Sequence, residues 1–223
     1  MEWLRETFLG ASRFSIARGP GHLAGGLAQA GFAVTATDAS PAMTARTAAL
    51  ATDHGVEVAT ATQTWEGLSR RGWQDRFAAV FCVGNSLAHA AGSDARRQAL
   101  ANMRAVLAVG GRLVLSSRNW ELVRGAGSRI AVADSVIERR GRRGVPIHTW
   151  VLGKRWGDRH DLYVAGVLLH HDERVDTVAE HLAFWPFRHD ELLEDLAYAG
   201  LRVEQTTYDP AIERYLITAL CED

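Results

Sequence analysis

Between Phe14 and Arg118, short apolar runs alternate with longer stretches whose apolar residues recur at helical spacing. Five runs read as strands: Phe14 to Ala17, Ala33 to Thr37, Val56 to Ala61, Ala78 to Val83 and Arg112 to Ser117, each bounded by Gly, Asp or a polar turn. The intervening LAGGLAQAG, PAMTARTAALATDHG and ARRQALANMRAVLAVGG carry Gly at their ends and read as helices. Ser40 followed by Pro41 reads as an N-cap with proline in the first turn. This rhythm predicts an α/β fold with a parallel sheet covered by helices on both faces.

Beyond Arg118 the rhythm changes. Ala131 to Glu138, His148 to Lys154, Leu162 to Leu169 and Val175 to Phe184 are strand-like with no helix between them, so the block must pair antiparallel. A helix over 189–200 then leads to strands over 202–208 and 214–220, which a short DPAIE loop joins as a hairpin. Arg139, Arg140, Arg142 and Arg143, with Gly141 and Gly144 among them, read as a solvated hairpin tip, an anion-binding loop being the sharper alternative. His160, His170, His171 and His181 show no metal-ligand spacing and read as solvated strand residues, so no metal is expected. Trp185-Pro186-Phe187 reads as a packing anchor ahead of the last helix.

Composition narrows the classes. The 223 residues are 47% hydrophobic and 23% charged, with 25 basic against 26 acidic side chains and a net charge of -1. Such a chain buries a sizeable core, and it has no global basic field for nucleic acid. Cys82 and Cys221 sit inside apolar runs, at neither a metal spacing nor a disulfide framework, which fits a reducing cytoplasm. No apolar stretch reaches the roughly 18 residues of a membrane helix, and MEWLRETFLG has no signal-peptide pattern. A soluble, cytoplasmic protein with neither nucleic-acid nor membrane partners is expected.

Gly19-Pro20-Gly21 lies between a short strand and a helix, where glycines let backbone approach a ligand and the helix N-terminus offers free N–H groups. Asp38 closes the second strand, where a carboxylate can accept both hydrogen bonds of a ribose diol. Together they point to an adenosine-containing ligand at the carboxyl edge of the sheet; the plainer alternative makes Asp38 a cap near Pro41. Gly19 to Ala24 also fits G-x-G-x-x-(G/A), so the loop alone does not decide between a nicotinamide cofactor and another adenosyl ligand.

TDASPAM at 37–43, the run Gly84-Asn85-Ser86-Leu87-Ala88-His89, Arg118-Asn119, and Phe184-Trp185-Pro186-Phe187 decide it. With these segments the chain resembles the class I S-adenosylmethionine-dependent methyltransferases, and most of all their glycine and sarcosine N-methyltransferase branch. The resemblance implies a Rossmann-like, doubly wound, mostly parallel seven-stranded sheet with an antiparallel last strand, plus an antiparallel β insertion after the fifth strand. Residues 1–223 would form one domain: a shortened N-terminal lid over 1–13, a cofactor-binding core over 14–121, the insertion over 129–185, and a closing helix and strand pair over 188–223. The implied cofactor is S-adenosyl-L-methionine. Gly19 and Gly21 would lie near its methionine part, Arg18 by its carboxylate, and Asp38 on the ribose with Ala39 beside it. Met43, Thr64 and Trp65 would wall the adenine, with Val83 and His89 closing the site.

The same resemblance makes Arg118 and Asn85 the binders of an amino-acid substrate. Methyl transfer to a neutral amine is an in-line displacement, for which the protein has mainly to hold donor and acceptor aligned. A guanidinium such as Arg118 clamps a carboxylate with two parallel hydrogen bonds, and Asn85 offers an amide oxygen to an amine N–H. His89 either bonds cofactor or substrate or is an ordinary helix-start histidine; Arg118 either binds substrate or pairs with Glu121 on the surface. The expected partner is a small amine or amino acid, with strand pairing in the 131–184 block as a possible homo-oligomer contact. Departures from the branch's pattern motivate an alternative, a repurposed methyltransferase fold with weak or no cofactor binding. Ser15 stands where an acid is usual, and Pro20 removes an N–H from the loop. Val109 and Ala78 replace a usual proline and an acid, and only 13 residues precede the first strand. A short lid around Trp3, Phe8 and Arg13, a partner chain or an open site would follow.

Overall fold

A computed structural model describes residues 13–17, 21–69, 72–139 and 141–222. The run FAAVFC has no polar side chain, and it forms β4 (Phe77–Cys82), a central strand covered on both faces. The other strands of its sheet are β1 (Arg13–Ala17), β2 (Ala33–Asp38), β3 (Ala59–Thr62), β5 (Leu107–Arg118), β11 (Leu201–Thr206) and β12 (Arg214–Cys221). Their order is β11-β12-β5-β4-β1-β2-β3. Strands β1 to β5 run parallel, and β12 runs antiparallel to both β5 and β11. Chain order therefore reverses between β1 and β4. At such a switch the crossovers leave in opposite directions and open a crevice at the carboxyl ends of the strands.

Helices α1 (His22–Gln29), α2 (Pro41–Asp53), α3 (Trp65–Leu68), α4 (Ser93–Val106), α5 (Trp120–Gly125) and α6 (His189–Tyr198) complete the core, with a 3-10 turn at Ser86–His89. Alternate residues of β4 serve two hydrophobic clusters: Val80 and Cys82 pack with Leu100, Met103, Leu192 and Leu196, while Ala79 and Phe81 pack with Ala24, Leu27 and Val34. Helices α4 and α6 are further tied by Asp195, 1% exposed, which accepts from Arg96 Nε at 2.5 Å and Arg97 Nε at 2.6 Å. The Arg96 guanidinium in turn lies 4.7 Å above the Phe187 ring.

The insertion forms a second, antiparallel sheet from β6 (Arg129–Val132), β8 (Arg142–Val151), β9 (His160–Leu169) and β10 (Val175–Phe184), with β7 (Ile137–Arg139) paired to β8. Residues 131–138, expected as one strand, are divided between β6 and β7 by the turn at 133–136. Arg139 and Arg142 are cross-strand partners at the hairpin tip. The sheet is fastened to the core by aromatic packing around Trp120, wholly buried, whose ring centroid lies 6.3 Å from Trp150, 5.4 Å from Phe184 and 6.2 Å from His160. Phe187 is 1% exposed, as an anchor should be.

His160 corrects the expectation of a solvated histidine, because it is wholly buried. Arg124 Nη1 lies 3.4 Å from its Nε2, and its Nδ1 lies 3.0 Å from the Asp158 carbonyl oxygen. The Gly153 N–H also donates toward Nδ1, at 3.3 Å, so both ring nitrogens are engaged within the fold. Among the described residues no group of His, Cys, Asp and Glu could hold a metal ion.

Two predictions follow from buried charge. Replacing Asp195 by Ala leaves the Arg96 guanidinium buried without its partner, so about 3–5 kcal/mol of stability should be lost in urea denaturation. Arg97→Ala, on the exposed side of the same carboxylate, should cost far less. Burial also lowers the pKa of His160 and of His189. The unfolded chain therefore takes up protons first: stability is full above the unfolded histidine value of about 6.5 and falls as pH drops through it. His160→Asn should flatten that slope when denaturation midpoints at about pH 7.5 and about pH 5.5 are compared.

Candidate active site

At the crevice, β2 delivers Asp38 beside the first turn of α2. Its Oδ1 accepts from the Ser40 N–H at 2.8 Å, and Ser40 caps α2 by accepting from the Met43 N–H at 3.4 Å. Capping thus falls to Ser40, and Asp38 Oδ2 is left buried with no hydrogen-bond partner among the described residues. A buried carboxylate oxygen without a donor costs free energy unless a ligand supplies one.

Asp38 lines a cavity of about 420 Å³ together with four other residues singled out from sequence, Ala39, Thr64, Trp65 and His89. Thr37, Ser40, Gln63, Glu66 and Ser86 also line it and were not foreseen. The missing signal was register: the Gln63 N–H donates to the Asp38 carbonyl at 2.9 Å, so parallel pairing carries on past the end of β3 and brings the next loop alongside. Met43 and Val83 are not among the residues lining this cavity. Met43 lines a different cleft, and Val83 packs partly buried against the core cluster of α1.

Gly21 caps α1 at φ 85°, and a Cβ there would meet Thr47 of α2 at 3.1 Å. Glycine is thus required by both conformation and close approach. Arg18, Gly19, Pro20 and the segment holding Trp3 and Phe8 lie outside the described residues.

The tips of β4 and β5 meet across the crevice. Gly84 N–H donates to Ser116 Oγ at 2.8 Å and Asn85 N–H to the Ser116 carbonyl at 3.2 Å. Asn85 is held at φ 66°, buried, with its side-chain oxygen accepting from the Arg118 N–H at 3.0 Å. That donor fixes which amide atom faces which way: the oxygen carries one bond and keeps a second lone pair, and among the described residues the buried Nδ2 has no partner.

The Arg118 guanidinium makes no ion pair among the described residues, and its Cζ lies 5.5 Å from the Trp150 ring centroid. Glu121 is not its partner, since Glu121 Oε1 accepts from the His189 N–H at 3.0 Å. Burial first, and then the charges of Arg214 and Arg129, lower the Arg118 pKa against an opposing pull from Glu213. Arg214 faces Arg118 across the β5–β12 register, and Arg129 shares the Trp150 ring at 5.8 Å. His89 Nδ1 lies 2.8 Å from the Ala183 carbonyl, with its ring 4.6 Å from Phe184, so β10 holds it in the cavity wall.

Residues 14–111 match the family model described as a methyltransferase domain. Two curated relatives are named glycine/sarcosine N-methyltransferase. That of Aphanothece halophytica is 36% identical over 97 residues, which is 44% of this chain and 36% of that protein. That of Parasynechococcus marenigrum (strain WH8102) is 35% identical over 119 residues, 53% of this chain and 42% of that protein. The aligned regions thus span well under half of those relatives' length. Among solved structures, an S-adenosylmethionine-dependent methyltransferase from Clostridium acetobutylicum ATCC 824 superimposes with a TM-score of 0.81 at 14% identity, over 100% of this chain and 89% of that one. The fold is therefore the Rossmann-like α/β fold of methyltransferases. The chain resembles the class I S-adenosylmethionine-dependent enzymes, and within them the glycine/sarcosine branch.

Gly21→Ala should cost about 1–2 kcal/mol for the left-handed conformation alone, and the Thr47 contact adds to it. Thermal denaturation would read the loss.

Proposed function

We propose that this chain is an S-adenosylmethionine-dependent methyltransferase acting on the nitrogen of a small amino acid or amine, working in the cytoplasm. The observation that carries the reading is the buried, unpartnered Asp38 Oδ2 on a cavity that Trp65 also lines. A ribose hydroxyl is the donor such an oxygen lacks, and an indole face suits a purine. When bound, the cofactor supplies a methyl group on a positively charged sulfur. The residues present fit its nucleoside half: Asp38 takes the ribose, Thr64 and Trp65 wall the base, and His89 closes the side toward β10.

On the acceptor side, Arg118 and the Asn85 side-chain N–H are two donors on neighbouring strand tips, suited to the oxygens of a carboxylate. Asn85 then donates through Nδ2 to the acid group, and its oxygen keeps a lone pair for an amine N–H. Arg118, Arg129 and Arg214 together disfavour a further positive charge nearby, which lowers the pKa of a bound ammonium and favours the neutral, nucleophilic amine. Catalysis is then alignment and desolvation, with no protein nucleophile. Among the described residues no helix is long and apolar enough to cross a membrane.

The rival reading, a methyltransferase fold that has lost its cofactor, draws on Ser15 and Pro20. Calorimetry with S-adenosylhomocysteine separates the two. Micromolar binding, weakened about tenfold or more by Asp38→Ala, is expected; absence of heat from the unmodified protein would favour the rival. With labelled donor and a panel including glycine, sarcosine and simple amines, Arg118→Ala should raise KM for carboxylate-bearing acceptors more than for plain amines. Equal effects on both would remove Arg118 from the acceptor site.

A further inference from the structure

A second cleft, of about 950 Å³, lies between the first turns of α1 and α2 and the hairpin end of the second sheet. Among the described residues its polar lining is His22, Arg46, Arg142 and Arg143, with no acidic residue, so three arginines line one hollow in a chain of net charge -1. Among the described residues none of those three arginines makes an ion pair or side-chain hydrogen bond. Met43, Val145 and Leu168 give the remaining wall an apolar character.

We propose that this cleft binds a phosphate or diphosphate group. One guanidinium suffices for a carboxylate. Three, drawn from a helix and a hairpin, match a ligand with two or more negative charges and several acceptor oxygens. A cleft lined by one sign of charge also concentrates such an anion from solution. The anion site does not rest on the methyltransferase reading.

Pyrophosphate is the probe, titrated into the whole chain at low ionic strength, with acetate and a single-stranded oligonucleotide as comparisons. Pyrophosphate should bind at least tenfold tighter than acetate, and both Arg46→Gln and the double variant Arg142→Gln/Arg143→Gln should weaken it at least tenfold. All three positions are exposed, so the variants should keep the melting temperature and the S-adenosylhomocysteine affinity of the parent. Binding no tighter than acetate, or indifference to the arginines, overturns the proposal, as does an oligonucleotide that outcompetes pyrophosphate. Arginine-dependent pyrophosphate binding without S-adenosylhomocysteine binding would uphold the anion site and sink the methyltransferase reading.

Discussion

The reversal of strand order between β1 and β4 is the constraint on which the rest depends. Parallel strands put all their carboxyl ends on one edge, and only at the reversal is that edge left uncovered by a crossover. Some polar groups there find partners on the next strand, as Asn85 Oδ1 does on Arg118 N–H, and others are left without one. Asp38 Oδ2 and Asn85 Nδ2 are two such groups, one acceptor and one donor, both buried. Each costs on the order of 1–3 kcal/mol while unpaired. Trp120 Nε1, Glu121 Oε2 and Tyr215 OH are likewise buried without a partner among the described residues, and what sets Asp38 apart is that it lines an open cavity.

Elements set by local chemistry were legible in the sequence. The all-apolar β4, the uninterrupted β10 and the Ser40-Pro41 start of α2 are each decided by residues within a few positions. What the sequence hid was set by contacts between distant segments. His160 is polar and flanked by charged residues, so nothing local distinguishes it from His170. Only the docking of Trp120, Trp150 and Phe184 against one another buries it. The orientation of the Asn85 amide was not legible, because the Arg118 N–H that sets it comes from 33 residues away. Gln63 went unseen for the same reason, since its place depends on register beyond the end of β3.

Charge tells a similar story. A chain with 25 basic and 26 acidic residues looks electrically featureless. Folding separates the signs: Arg118, Arg129 and Arg214 gather near Trp150, and Arg46, Arg142 and Arg143 around the second cleft. Meanwhile carboxylates such as Asp195, Glu204 and Glu222 are engaged by other arginines at the far side of the sheet or between helices. Net charge therefore speaks against wide nucleic-acid binding and says nothing about local anion sites.

The second sheet and the acceptor side are one packing problem. Asn119, wholly buried, donates its backbone N–H to the Glu213 carbonyl at 2.8 Å and accepts from the Leu122 N–H at 3.2 Å, which starts α5 immediately after Arg118. The next residue is Trp120, the hub on which Trp150, His160 and Phe184 converge. Phe184 also contacts His89, and Trp150 also lies under Arg118. A shift of the inserted sheet therefore moves the Arg118 platform and the His89 wall together. Because aromatic packing of this density has few alternative arrangements, the insertion holds acceptor and nucleoside sides in fixed relation. Alignment of the two reactants is what methyl transfer asks of a protein.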